Sequence, residues 1–223
     1  RWLAPLLKDN WALLSHRRLV EPFAGGLAVA LGLNPKKALL NDTNPYLINF
    51  YQQIHKGLKL DRELLNCETE YYKHRERFNS LIAEGLESGK ELAQLFYYLN
   101  RTGFNGLCRF NNSGFFNVPF GRYNKINYKE HFLDYKGAFH GWTFKCGDFS
   151  LLRKRKDDFL YLDPPYDTPF TKYAKNDFNW DDQQRLVKWV AKHQGPIIAS
   201  NQATKRILDL YKEAEFEIIC MQA

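Results

Sequence analysis

What the chain lacks narrows it quickly. Its four cysteines, at 67, 108, 146 and 220, form no CxxC pair and no Cys/His cluster, so neither a zinc site nor a disulfide framework is indicated, and reduced thiols are expected. The six histidines are scattered without partner spacing, and no metal is assigned. No apolar run reaches the roughly 18 residues that a membrane span needs. The apolar opening at 2–7 is broken by Lys8 and Asp9, which excludes a secretory signal. A soluble, intracellular protein without a membrane partner is expected. There is no internal repeat and no low-complexity segment. An initiator methionine is also missing: the chain starts at Arg1 and stops at Ala223 inside what reads as a strand, so both ends are expected to be incomplete.

What is present is a folded, mildly basic chain. Its 223 residues suffice for one medium domain, or one domain carrying a large insertion. Hydrophobic residues at 44% and aromatics at 16% can bury enough apolar surface to offset lost conformational entropy, which excludes disorder. Lys and Arg number 32 against 25 Asp and Glu, a net charge of +7 that fits a polyanionic partner, either nucleic acid or an acidic membrane face.

The apolar spacing alternates between helix and strand. Residues 3–14 read as a helix, 18–23 as a short buried strand, Ala24-Gly25-Gly26 as a turn into a small-residue helix at 27–31, 37–42 as a second strand ending in Asp42, and 44–56 as a helix. This β-loop-α-β-loop-α order predicts a parallel sheet with crossover helices. The stretch 60–99 is helical in pattern, with breaks at Gly85 and Gly89. After Gly141 the rhythm resumes, with strands at 142–146, 159–162, 196–200 and 215–221 and helices at 181–193 and 205–212. The expectation is one α/β sheet, 1–56 with 140–223, interrupted by an insertion at 57–139 that is too long for a loop.

The insertion contains the chain's sharpest charge asymmetry. Between Arg101 and Lys129 there are five basic residues (Arg101, Arg109, Arg122, Lys125, Lys129), seven Phe and Tyr, and neither Asp nor Glu. Asn112-Ser113-Gly114 reads as a turn between two short strands. An aromatic, basic, acid-free insertion on an enzyme-type sheet reads as a recognition element.

Ligands of open α/β sheets sit outside the carboxyl ends of the strands, where four segments converge: 22–26, Asp42, Asp148 and 163–166. Pro22-Phe23-Ala24-Gly25-Gly26 lets a backbone approach a ligand, although it lacks GxGxxG spacing and reads equally as a tight strand-to-helix turn. Asp42 is placed either to accept from ribose hydroxyls or to cap the following helix. Asp163-Pro164-Pro165-Tyr166 is different in kind. Two prolines fix the backbone and remove two donors, leaving a carboxylate, carbonyl acceptors and an aromatic face, a set suited to an exocyclic amino group on a stacked base. The run 153–156, four cations in succession, reads as a solvated loop able to touch phosphates.

Taken in order, Glu21-Pro22-Phe23-Ala24-Gly25-Gly26, Asn41-Asp42, Gly147-Asp148-Phe149 and Asp163-Pro164-Pro165-Tyr166 resemble the alpha-group N6-adenine DNA methyltransferases. The stretches 100–111 and 116–123 resemble the target-recognition region of the DNA adenine methylase branch, which modifies GATC. The resemblance spans nearly the whole chain. It departs in the glycine turn, where many members have a further glycine or small residue after Gly26. The family's Lys-Trp-Ala-Gly-Gly-Lys segment would fall before Arg1, and its final strand and Arg-rich tail after Ala223.

The resemblance implies a Rossmann-like S-adenosylmethionine-dependent fold with a helical and β-hairpin target-recognition insertion. The implied activity is methyl transfer to adenine N6 in duplex DNA by base flipping. Pro22, Phe23, Gly25 and Gly26 would line the cofactor, Asp42 would take its ribose, and Asp148 and Phe149 would flank its adenine. Asp163, which also borders the cofactor, and Pro164 would bind the target amino group, with Pro165 completing the rigid strand end and Tyr166 stacking on the base. Phe104, Asn105, Leu107, Arg109, Pro119 and Arg122 fall on DNA-contacting positions, Phe104 as a wedge. Arg109 reads either as a bidentate guanine contact or as a phosphate clamp. The resemblance further implies a prokaryotic or phage protein of the cytoplasm and nucleoid, monomeric or weakly dimeric, with room for a cognate restriction endonuclease. Two alternatives stand beside it: an N4-cytosine methyltransferase, since the same amino-group logic applies, and a DNA-binding relative without catalysis. Protein-glutamine methyltransferases are similar but carry Asn where Asp163 stands.

Overall fold

The computed structural model describes residues 4–61, 64–167 and 178–221; Leu3, where the sequence starts its first helix, and 62–63, inside the expected helical stretch, lie outside them. In chain order the elements are α1 (Ala4–Leu14), β1 (Leu19–Glu21), α2 (Ala28–Leu33), β2 (Ala38–Asp42), α3 (Pro45–His55), α4 (Glu68–Ala83), α5 (Lys90–Thr102), α6 (Leu133–Phe139), β3 (Trp142–Cys146), β4 (Phe159–Leu162), α7 (Trp180–Val190), β5 (Ile197–Ala199) and α8 (Lys205–Glu213). Two compact units result, 1–43 with 141–223, and 44–140. Helix α3 belongs to the second, where it packs on α5 and α6.

The first unit is built on a five-stranded sheet, ordered β3-β2-β1-β4-β5 and parallel at every pairing. Parallel strands covered on both faces need apolar side chains on both, and all four residues of β4 are buried, as are all three of β1. Val20, Leu39, Leu160 and Leu162 from the sheet meet Leu186 and Val190 of α7 in one core. Burying a side chain such as Leu160, which is fully enclosed, contributes about 2 kcal/mol. Helix α7 starts at a capping box: the Asn179 side chain accepts from the Asp182 backbone N–H, and Asp182 accepts from that of Asn179. From β1 the chain steps outward through β2 to β3, then returns to β4 beside β1 and continues to β5. The order therefore reverses between β1 and β4, the switch point at which such sheets open a crevice.

The strand expected over 215–221 does not form. Glu215 takes a left-handed φ of 62° and the Phe216 N–H returns to the Tyr211 carbonyl at 3.0 Å, closing α8. Beyond it the alternating pattern is real, but it serves packing: Phe216 and Ile218 lie against Ile207 and Tyr211 while Ile219 and Met221 are exposed. Among the described residues, 216–221 joins no ladder.

In the second unit, α5 is the central helix, with Leu92 to Leu99 all buried. Three α4 side chains, Tyr71, Arg75 and Asn79, recur every four residues and so share one face. They bond the backbone of the recognition stretch: Tyr71 Oη and Arg75 Nη1 donate to the Val118 carbonyl at 2.8 and 3.0 Å, and Asn79 exchanges bonds with Phe116 N–H and C=O at 2.8 and 3.0 Å. These bonds take carbonyls that a β-ladder would use, and the hairpin around 112–114 is correspondingly short, a turn with the single bridge Phe110–Phe116. Asn111 closes it, its Oδ1 accepting from the Ser113 and Phe115 N–H groups. Of the expected helical stretch 60–99, only α4 and α5 are helix, parted at Gly85 and Gly89, both with positive φ, while 60–61 and 64–67 are not helical. The sequence pattern does not anticipate α6.

Candidate functional site

In a parallel sheet every strand ends on the same edge, and Pro22 to Gly26, Asp42, Asp148 and Asp163 to Tyr166 follow or close β1, β2, β3 and β4 there. Buried Asn41 binds three of these segments together. Its Nδ2 donates to the Pro22 carbonyl at 3.0 Å and to the Gly147 carbonyl at 2.8 Å, and its own carbonyl accepts from Ala24 N–H at 2.7 Å. The Asp42 carboxylate accepts from Gly25 N–H at 3.0 Å. Asp42 does not cap α3; Asn44 does, its Oδ1 accepting from Tyr46 and Leu47 N–H, with Pro45 at the first helical position. That leaves the Asp42 side chain to the strand edge.

The glycine turn has the form of a cradle. Gly25 has φ 45°, and a Cβ placed on Gly25 or Gly26 meets nothing within 4 Å, so the space over this backbone is open. Phe23 stands half-buried beside it, its ring 5.7 Å from Phe149 and edge-on to Phe178 at 5.3 Å. Phe149 itself is buried in the core and backs Phe23. The Asp148 carboxylate accepts from Ser150 and, bidentately, from Arg185 at 3.2 and 2.7 Å. Burial works to raise its pKa, but the Ser150 and Arg185 hydrogen bonds prevail and hold it below the usual value.

At the end of β4, Asp163 is exposed, Pro164 buried, and Tyr166 exposed. Three side chains that local sequence does not mark hold this tetrapeptide. Ser200, following β5, donates to Asp163 Oδ1 at 2.7 Å. Gln183, buried in α7, donates to the Pro165 carbonyl at 2.9 Å, and Asn201 fixes Gln183 in turn at 3.1 Å. The Pro164 carbonyl accepts no hydrogen bond among the described residues. The Tyr166 phenol is raised above its ordinary pKa, first by burial and then by the Asp163 charge. Glu21 closes β1 beneath the turn, almost fully buried, with one oxygen lacking any partner; burial lifts its pKa from 4.5 to about 8.

The donor set fits S-adenosylmethionine, a cation. The edge segments from Pro22 to Asp167 offer the carboxylates of Asp42, Asp148 and Asp163, an open glycine backbone and the Phe23 ring.

The remaining candidates lie in the second unit. Gly121 lets two backbone segments pass closely, since a Cβ there would stand 2.9 Å from the Thr102 carbonyl and 3.0 Å from the Gly103 carbonyl carbon, and Gly103 closes α5, where a Cβ would stand 2.6 Å from the Leu99 carbonyl. The pairing is completed by Phe104 N–H to the Pro119 carbonyl at 2.9 Å. From this platform Phe104 and Leu107 project with 48% and 42% of their surface exposed, and Asn105 turns in the left-handed region at φ 52°. Arg109 is held by Asn117, through Nε to Oδ1 at 2.8 Å and Nη2 to the carbonyl at 3.3 Å. Arg122 pairs with Glu68 of α4 at 3.2 Å, so a carboxylate from outside the acid-free stretch reaches it.

A parallel sheet with an acidic, glycine-lined switch point beside Asp163-Pro164-Pro165-Tyr166 defines a Rossmann-like α/β methyltransferase. Across residues 1–223 the chain matches the model of the D12 class N6 adenine-specific DNA methyltransferases, and it belongs to that family. It is 36% identical over 210 residues to the retron Ec67 DNA adenine methylase of Escherichia coli, covering 87% of this chain and 72% of that one. It is 35% identical over 223 residues to the DNA adenine methylase of Vibrio cholerae serotype O1, covering 91% and 79%, and 34% identical over 239 residues to that of Escherichia coli K12, covering 96% and 83%. The protein is an adenine-specific DNA methyltransferase, which decides against the cytosine alternative, and family and sheet together imply S-adenosylmethionine as the methyl donor. Among the described residues no helix is long and apolar enough to cross a membrane.

Proposed function

We propose that the protein methylates adenine N6 within GATC in duplex DNA, with the target base taken out of the stack. The carrying observation is the Asp163 tetrapeptide at the β1/β4 switch point, its carboxylate exposed and oriented by Ser200. An adenine amino nitrogen is a poor nucleophile because its lone pair is delocalised into the ring. Asp163 and the Pro164 carbonyl accept the two amino hydrogens, which favours pyramidal nitrogen and returns the lone pair to it. Tyr166 stacks on the extruded base and, with the tetrapeptide's fixed backbone, holds the nitrogen in line for attack. When bound, S-adenosylmethionine would supply the electrophilic methyl group, its S–C bond breaking as the N–C bond forms to leave S-adenosylhomocysteine, and the amino nitrogen would give up one proton through the Asp163 carboxylate that accepts it. Gly25 and Gly26 admit it closely, Asp42 receives its ribose hydroxyls, Phe23, backed by Phe149, contacts it, and Asp148, oriented by Arg185, borders its adenine.

On the DNA side, Phe104 enters the space the base vacates, offsetting part of the few kcal/mol that unstacking costs. Arg109 reads guanine from the fixed position that Asn117 gives it, while Arg122 takes phosphate. In the test, GATC duplexes and duplexes with each base permuted are incubated with labelled donor. Label confined to GATC supports the reading; equal label in the permuted duplexes overturns the assigned site.

A further inference from the structure

The sheet is electrically polarised. Carboxylates gather where the strands end, whereas the segments that enter the strands (15–18, 34–37, 140–141, 153–158 and 192–196) hold nine Lys and Arg against two Asp and no Glu. That excess equals the whole chain's net charge of +7. Strands β2, β1, β4 and β5 are consecutive in the sheet, so Lys36 and Lys37, Arg17 and Arg18, 153–156 and Lys192 form one row. At about 4.8 Å per strand it is about 15 Å long.

The row is a built surface. Buried Asp158 is its keystone, binding Arg18 through Nε at 2.9 Å and Nη2 at 2.6 Å and accepting from Arg155 N–H at 2.7 Å, while its carbonyl meets His193 Nε2 at 2.9 Å. Arg18 Nη2 also donates to the Arg153 carbonyl at 3.2 Å, and Arg17 to that of Asp157 at 2.8 Å. The Lys154 ammonium lies over the Trp189 ring, 3.6 Å from its centroid; burial first, and then neighbouring Lys192, lower its pKa to about 8. With Asp158 turned inward, exposed Lys36, Lys37, Arg153, Arg155, Lys156 and Lys192 have no ion pair among the described residues. Some cations elsewhere are matched, as in Arg77–Glu91, Lys90–Asp61, Lys129–Asp134 and Arg185–Asp148, while others, Lys56 and Lys212 among them, are exposed and without an ion pair among the described residues; what sets the row apart is that its cations gather at the entries of four neighbouring strands.

We propose that this amino edge of the sheet binds a second DNA duplex, on the side of the sheet opposite the carboxyl-edge crevice. The inference rests on the protein acting on DNA. A duplex presents one phosphate charge about every 1.7 Å, a density that an uncompensated row of this length meets without reading sequence. Holding one duplex here while another occupies the crevice would let the enzyme pass directly between DNA segments.

The test uses the whole protein saturated with a GATC duplex of about 12 base pairs, little more than one turn, and titrates a labelled duplex of equal length without GATC. The wild type binds this second duplex. The R153Q/R155Q/K156Q/K192Q variant, whose changes spare Arg18, Lys154 and Asp158, binds it about tenfold more weakly, with a shallower salt dependence by about 0.9 per lost phosphate contact. Its single-turnover methylation of the short duplex stays within about twofold of wild type, and K156R/K192R retains both activities. The proposal is overturned if the wild type takes up no second duplex, if the quadruple variant binds it unchanged, or if methylation and second-duplex binding fall together. It is also overturned if the variant loses affinity only for phosphatidylserine vesicles, which would make the edge a membrane contact. Wild-type methylation without second-duplex binding defeats this inference alone; no methylation at all defeats the catalytic reading.

Discussion

The Ser200 hydroxyl donates to Asp163 Oδ1 at 2.7 Å, so the residue after β5 sets the carboxylate that follows β4. Ser200 is itself anchored, its backbone N–H donating to the Leu162 carbonyl at 2.8 Å. On the proposed mechanism Ser200 is a positioning residue. Ser200→Ala should lower single-turnover methylation about tenfold, the equivalent of ~1.4 kcal/mol for one hydrogen bond to a charged group. DNA affinity should stay unchanged, and Ser200→Thr should restore most of the rate. An unaltered rate in the alanine variant would remove Ser200 from the account.

Glu21 gives a pH dependence of stability. Its folded pKa is about 8 against an ordinary 4.5, so between these values the folded chain keeps a proton that the unfolded chain has released. Stability from this group is full below about pH 4.5, falls as pH rises, and is lost above about pH 8. Glu21→Gln, neutral throughout, should be more stable than wild type by a few kcal/mol at about pH 9 and similar at about pH 5. Urea midpoints at the two pH values measure this; parallel curves for both proteins would contradict it.

The Arg122–Glu68 pair is exposed, and on the proposed reading of Arg122 as a phosphate contact it would compete with DNA for the guanidinium. Glu68→Gln should tighten duplex binding about two- to threefold and steepen its salt dependence by a fraction of one phosphate contact. A filter or anisotropy titration at several salt concentrations reads both. Weaker binding in the variant would mean that the pair shapes the recognition surface.

Much of this arrangement is legible locally. The runs at β1, β2 and β4 are apolar enough to demand burial, β3 alternates as an edge strand does, each ends in or before a marked residue, and Asp163-Pro164-Pro165-Tyr166 constrains its own backbone. What local pattern cannot carry is partnership across the chain. Gln183 reads as one polar residue in a helix until the fold sets it against the Pro165 carbonyl, although its burial beside Leu186, Val187 and Val190 is the kind of exception that signals a partner. Arg185 is 37 positions from Asp148, and Glu68 is 54 from Arg122. Alternation at 215–221 suggested a strand because alternation marks a two-sided surface, and here α7 and α8 supply the inner side. The cations at 153–156 read as a solvated loop in isolation; their order depends on Asp158, whose burial follows from the sheet.

On the proposed mechanism Asp163 activates an adenine amino group for direct methylation. Wild type and Asp163→Ala, each verified as folded by thermal unfolding, are incubated with S-adenosylmethionine and a GATC duplex, and the DNA is digested to nucleosides for mass analysis. Wild type should yield N6-methyladenine and the variant should lose at least about a thousandfold in rate, with duplex affinity retained. N6-methyladenine formed by Asp163→Ala at a comparable rate would contradict that mechanism.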